Sequence, residues 1–508
     1  MNPLGFLPNE VLCRILDFIP EQRVNCMLVS HSWRDFILQT PPAHLHVDLR
    51  EHPLNDNTRQ GLIQHLQSNP ASLRWAAVEE TPCDLVFLLN KADCLRLKKL
   101  EVVYEYYGEP PETKLPGSTF INAWTRVSQN LTHLDIMLPY DGSQDLLAFI
   151  ITQCPQLVSL YAEHTIVCFE LNVPTVEPPA TTPVLQHLTW QGEIDCFADP
   201  SFVSTFFPHL QTLRLVYYDS YFDYCYSPFG IPPRLEPLLY AVDFLPKLVH
   251  WGYYFCISHI PFSVDLGVVG LQQLVFRGLF RLSMSVLCDT LCKFSDTLTC
   301  IDYSDYYDAR IDSDGVPAEG NHAINTEILH YASFPHLKKI DLSCMSDGVL
   351  DALLPSCPAL ESLSLNTLSL DPALMDHFCT QPWREVRIVN CFNGVEAMIR
   401  LIESAIEREA RCTLRSICFT AVGASGASEP LIPSLGSICT LESLIIDATT
   451  HFDQDGSRFK KTTLQKFAQN AIESGLISCL EELHLMCLRH DGNEEIRKAL
   501  YDFISDEE

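Results

Sequence analysis

Two stretches, Leu337-Lys338-Lys339-Ile340-Asp341-Leu342 and Leu360-Glu361-Ser362-Leu363-Ser364-Leu365, follow one pattern: apolar, two variable residues, apolar, one variable residue, apolar. The last three positions alternate apolar and polar, the period of a strand with one buried face. Between the two stretches, Asp347 opens a run with Val349, Leu350, Leu353 and Leu354 at helical spacing, and Cys357-Pro358 closes it. The region therefore predicts strand, helix, proline stop and strand again.

Outward from there, the pattern occurs fifteen times, from Leu73/Ala76/Val78 to Leu480/Leu483/Leu485, with first positions 23 to 39 residues apart. Helical stretches precede several units. Asp199 can cap a helix with Pro200 at its first position, an apolar stripe of Phe202, Val203, Phe206 and Phe207, and a stop at Pro208. Leu146, Leu147, Phe149 and Ile150 lead into Cys154-Pro155 in the same way. One such unit buries too little to stand alone, whereas stacked units share a core worth about 1.5–3 kcal/mol per fully buried Leu, Ile or Phe. Variable strand residues such as Glu101, Asp135, Arg214, Asp341, Ser364, Arg387 and His484 are expected to face solvent or a partner.

Spacing and alternation together resemble the leucine-rich repeat proteins, in their irregular helix-and-strand form, over roughly residues 45–508. The usual Asn or Cys three residues after the last apolar position is mostly missing, and Cys391 supplies it in one unit. The resemblance implies an α/β solenoid of about fifteen irregular units, with a curved parallel β-sheet on its concave face and helices on its convex face.

Composition narrows the function. The chain has 508 residues, with 34 Lys and Arg against 64 Asp and Glu, a net charge of −30. Apolar residues make up 47% and charged residues 19%, which excludes a disordered acidic chain. An acidic field repels phosphate backbones and anionic bilayers, so neither nucleic acid nor membrane is an expected partner. Leu4 to Ile19 carries Glu10, Arg14 and Asp17 and does not read as a leader. Leu238 to Phe262 is interrupted by Asp243, Pro246 and Lys247 and does not read as a membrane span. A soluble protein of the cytoplasm, the nucleus or both is the expectation. The 21 cysteines include no Cys-x-x-Cys pair, so Cys154, Cys168, Cys256, Cys344, Cys357 and Cys418 read as reduced core thiols. Phosphate-loop, dinucleotide, zinc-protease and nucleophile-elbow motifs are absent. No catalytic residue, metal or cofactor is therefore assigned, and the chain reads as a non-enzyme.

Residues 4–38 depart from the repeat. Leu7-Pro8, Glu10, Val11-Leu12 and Ile15-Leu16 predict a helix with apolar positions at the 3.6 period, and two short helices should follow, the last including Val29-Ser30 and Trp33-Arg34. About forty residues are at the limit of independent folding, so a buried protein contact is expected. These residues resemble the F-box in order and separation, with Arg23-Val24 a departure where an acidic residue and Leu are more usual. The resemblance implies a three-helix F-box over residues 1–44 ahead of the repeats at 45–508. It also implies docking on a Skp-type adaptor and, through it, a cullin. By position, Leu7, Pro8, Leu12, Ile15, Leu16, Val24, Leu28, Val29 and Trp33 form or support the adaptor surface.

F-box and repeats together imply a substrate-recognition subunit of a Skp–cullin–F-box ubiquitin ligase. The alternative is an adaptor-bound scaffold or trafficking protein acting outside a ligase. Tyrosines and acids cluster after several strands: Tyr104 to Tyr107, then Tyr217, Tyr218 and Asp219, then Tyr253 and Tyr254, then Tyr303, Asp305, Tyr306, Tyr307 and Asp308. Tyr gives large contact area at modest entropy cost and carboxylates select cations, so these residues are the expected surface for a target with a basic segment.

Overall fold

The structure, a computed structural model, describes residues 8–18, 26, 29–39, 44–49, 60, 62–63, 66–67, 70–78, 82–94, 96–105, 127–140, 143–169, 178–216, 234–254, 269–278, 280, 282–305, 326–343, 347–366, 378–379, 381–389, 394–408, 412–420, 431–447, 461–485, 488–491 and 493–505. The chain divides into two compact units, Met1–Ile231 with Pro237–His259, and Pro232–Glu236 with Ile260–Glu508.

The first unit begins with helices α1 (Asn9–Phe18) and α2 (His31–Gln39). Of residues 19–28, where the middle helix is expected, only Cys26 is described, and it is helical. A parallel ladder follows: β1 (His44–Asp48), β2 (Ser72–Val78), β3 (Lys99–Glu105), β4 (His133–Tyr140), β5 (Ser159–Phe169), β6 (His187–Gln191), β7 (Thr212–Val216) and β8 (His250–Tyr254). Parallel neighbours need a crossover, and the helices supply it. Two of them are α3 (Gln144–Gln153) and α4 (Pro200–Phe206). Ser143 caps α3 by accepting from the Leu146 amide, and Asp199 caps α4 by accepting from the Ser201 amide ahead of Pro200. Both helices lay their predicted apolar stripes into the core, and Phe202, Phe206 and Phe207 pack with ring centroids 4.7 to 6.5 Å apart.

Register corrects the first unit of the repeat. Leu73 lies opposite Leu100 and Trp75 opposite Val102, so the pair in line with the inner rows of the next strand is Leu73 and Trp75, while Ala76, though buried, stands opposite Val103 in the outward row. Buried Pro70 then takes the first position, three residues earlier than the sequence spacing suggested. The misreading arose because Trp75 stood where a variable residue was expected. A further strand, β1, precedes the fifteen, with Leu45 opposite Leu73 and Val47 opposite Trp75. Its exposed His44, His46 and Asp48 leave too little apolar signal for the pattern to register.

The second unit carries β9 (Gln273–Gly278), β10 (Cys300–Asp305), β11 (Lys339–Ser343), β12 (Ser362–Asn366), β13 (Glu385–Val389), β14 (Ser416–Thr420), β15 (Ser443–Asp447) and β16 (Glu482–Leu485), all parallel. A last strand, β17 (Leu488–Asp491), pairs antiparallel with β16, a hairpin the repeat pattern did not predict. Before each strand from β10 to β16 the backbone repeats one link; the Glu361 amide donates to Lys338 O at 2.9 Å, and Arg384 to Glu361 O at 2.7 Å. Inward side chains form continuous apolar rows, as in Ile340, Leu363, Val386, Ile417, Leu444 and Leu483, none more than 1% exposed.

Crossover helices in this unit include α5 (Asp347–Leu353), α6 (Gly394–Arg408), α7 (Leu431–Leu435) and α8 (Lys461–Ser474). The predicted Asp347 start and the apolar face Val349, Leu350, Leu353 are present, all three apolar residues being buried. Between α7 and α8 the backbones approach closely. Asn470 Nδ2 donates to Pro433 O at 2.7 Å, Ser474 Oγ donates to Gly436 O at 2.7 Å, and a Cβ on Gly436 would meet Phe467 O at 2.6 Å. Glycine is the residue that permits that contact.

The described cysteines are free thiols. Cys154 and Cys357 are buried as expected, and Cys418 is half-buried at an outward strand position. Cys168 has no described side chain, and Cys256 and Cys344 lie outside the described residues. Burial pushes the Cys357 thiol up to about 12, so it stays protonated and packs as a small hydrophobe, donating to Leu353 O.

Candidate protein-docking surfaces

Helix α1 divides its apolar residues between two sides. Leu12 and Leu16 are 1% exposed, whereas Val11 at 41% and Ile15 at 39% form a second column one turn apart. The Val11 and Leu12 amides both donate to Pro8 O, which fixes the start of the helix. Ahead of α2, Ser30 Oγ accepts from the Trp33 amide at 3.2 Å. Trp33 meets Phe36 edge to face at 6.5 Å, and Val29 beside the cap is 69% exposed.

Of the residues expected at an adaptor surface, Ile15 and Val29 are thus exposed, Pro8 lies at the start of α1, Trp33 is half-buried, and Leu12 and Leu16 are buried. Leu7, Val24 and Leu28 lie outside the described residues. Val11 belongs with the exposed group, and its i, i+4 relation to Ile15 is the signal that identifies it.

The tyrosine and acid set is corrected by burial. Tyr253 and Tyr303 point into the core at 0% and 1% exposure, and Tyr303 packs with Phe276 and Phe280. Tyr254 is 4% exposed, its hydroxyl 3.1 Å from His250 Nε2. These three occupy strands rather than the loops beyond them, so in the folded chain they are not target-contact residues. Asp305 ends β10, with its backbone opposite Gly278. Tyr217, Tyr218, Asp219, Tyr306, Tyr307 and Asp308 lie outside the described residues.

The outward sheet face of the first unit is acidic. Glu101, Asp135 and Tyr161 stand side by side on β3, β4 and β5, and Glu163 lies opposite Met137 one row further on. Arg74 pairs with Glu101 at 3.1 Å, and the Tyr161 hydroxyl donates to Glu163 at 3.2 Å. Asp135 has no ion pair among the described residues. Desolvation, then Glu101 and Glu163, push its carboxyl up to about 6, against a smaller pull from Arg74. His133 on β4 and His187 on β6 are lowered, chiefly by burial.

In the second unit the outward face is sealed at one end. Arg277 on β9 grips Asp302 on β10 with two nitrogens, Nε to Oδ1 at 3.0 Å and Nη2 to Oδ2 at 2.5 Å, and lies 3.7 Å from Asp341. Asp302 is 4% exposed, and desolvation raises its carboxyl despite the Arg277 hydrogen bonds. Val275 and Ser343 are also buried on this face, contrary to the expectation that variable strand positions meet solvent. From β12 to β14 the face opens, with Arg387 exposed and Ser364, Asn366, Ser416 and Thr420 half-buried around it.

Comparison with known families matches both parts of the chain. Residues 4–41 match the F-box-like family, and residues 268–400 match the LRR repeats of an FBD-associated F-box protein family. No curated protein matches the chain.

Proposed function

We propose that this chain, an F-box-like segment ahead of leucine-rich repeats, is the substrate-recognition subunit of a Skp–cullin–F-box ubiquitin ligase. The observation that carries the reading is the exposed apolar column of Val11 and Ile15, with Val29, inside the segment that matches the F-box-like family. F-box domains generally bind Skp-type adaptors, and three exposed aliphatic side chains on a small helical segment suit a buried protein contact. The repeat sheet would then hold a target on its open outward faces. Glu101, Asp135 and Glu163 offer a basic segment a better-placed acidic surface than the buried tyrosines do. The contribution to catalysis is proximity, since a held target presents its lysines to the transfer enzyme at raised effective concentration.

Affinity capture from cells tests the ligase assignment. Tagged wild type is expected to bring down both adaptor and cullin, and a Val11→Asp, Ile15→Asp variant neither. Adaptor without cullin in the wild-type capture would point instead to an F-box scaffold outside a ligase.

A further inference from the structure

We infer that the open outward face around Arg387 binds an extended segment of the target protein through an Asp or Glu side chain. This rests on the substrate-receptor reading and names the chemistry of one of its contacts.

Among the described residues, the guanidinium groups of Arg277 on β9 and of Arg384 and Arg415, just ahead of β13 and β14, are engaged. Arg277 holds Asp302, Arg384 pairs with Glu361 at 3.4 Å, and Arg415 pairs with Glu442 at 3.2 Å. Arg387, at the centre of β13, is exposed and makes no hydrogen bond or ion pair among the described residues. Parallel register shows why. It lies opposite Ser364 on β12 and Cys418 on β14, so no carboxylate flanks it across either ladder. One step along the strands in either direction stand Ser362, Asn366, Ser416 and Thr420.

Neighbouring strands are about 4.8 Å apart and same-face residues about 7 Å apart along a strand. The hydroxyls of Ser364, Ser416 and Thr420 on the flanking strands can therefore complete the hydrogen bonds of an oxyanion held by the guanidinium. In a chain of net charge −30, an unpaired guanidinium on an open face is complementary to an anion from outside.

A carboxylate suits the site better than a phosphate. A single guanidinium fork matches one carboxylate, and Glu385 lies two residues along the same strand, where it accepts from Ser362 Oγ at 3.0 Å. A dianion would meet that charge at twice the cost.

The test uses the purified full chain on an array of extended peptides in which one central position is Asp, Glu, phosphoserine, Gln or Lys and its flanks vary. Wild type is expected to select Asp or Glu over Gln by roughly tenfold or more, as for a charge-assisted hydrogen bond. Arg387→Lys should keep the preference in weakened form, and Arg387→Glu should move it to Lys, a change that damage to the fold alone does not produce. Equal selection of Glu and Gln by wild type, unchanged selection by Arg387→Glu, or stronger selection of phosphoserine than of Glu would each overturn the assignment. The array contains no adaptor, so these outcomes are separate from failure of the ligase reading.

Discussion

Trp190→Ala is expected to lower the stability of the first unit by about 3–5 kcal/mol, with the fold retained at low temperature. Trp190 is fully buried on β6, its indole nitrogen donating to Glu193 O at 3.2 Å. Its register neighbours are Ala162 on β5 and Leu215 on β7, so a small residue stands beside the largest one. Ala162 cannot fill the void, and the core cannot close over it without moving β6. Neighbouring units depend on the same rows, so the loss should spread along the ladder. Urea denaturation followed by far-ultraviolet circular dichroism measures it. A loss below about 1 kcal/mol would be inconsistent with a close-packed shared core.

Arg277→Met is expected to cost about 3 kcal/mol, because it leaves Asp302 buried without its partner and close to Asp341. The pH dependence distinguishes this from lost packing. The Asp302 carboxyl is raised above its ordinary value with Arg277 present, chiefly by desolvation, and removing the guanidinium raises it further. A carboxyl whose folded value exceeds its unfolded value favours the fold below the unfolded value, and that contribution is lost as pH rises through the folded value. The deficit of the variant relative to wild type should therefore be greatest at neutral pH and shrink on acidification toward the ordinary carboxylate range. A deficit independent of pH would mean that the methylene packing of Arg277, and not the ion pair, holds β9 to β10.

Why some of this could be read from the sequence and some could not is a matter of side-chain period. Ile340, Leu342, Leu363 and Leu365 repeat a two-residue period that only a one-faced strand satisfies, so the strands and their parallel stacking follow directly. Asp199-Pro200 marked a helix start for a local reason, the capping of a free amide, and Asp347 opens α5. Trp75 concealed the register of β2, since an aromatic at an inner position looks like an interruption of a leucine pattern. Two polar edge residues, His44 and His46, concealed β1 for the opposite reason.

Site residues were harder to find because exposure depends on neighbours distant in sequence. Tyr254 and Asp302 occupy outward strand positions, where alternation predicts solvent, yet both are buried. Arg387 looked like any other variable strand residue until register placed Ser364 and Cys418 beside it. At the N-terminus the motif order identified the segment, but the division of α1 into an inner column of Leu12 and Leu16 and an outer column of Val11 and Ile15 required its packing.

Calorimetric titration of the purified chain with a purified Skp-type adaptor tests the central claim most directly. One adaptor per chain should bind wild type, and Val11→Asp with Ile15→Asp should weaken binding roughly 100-fold or more while leaving thermal unfolding unchanged, since both side chains already face water. Equal binding by both proteins, or none by wild type, would contradict the account.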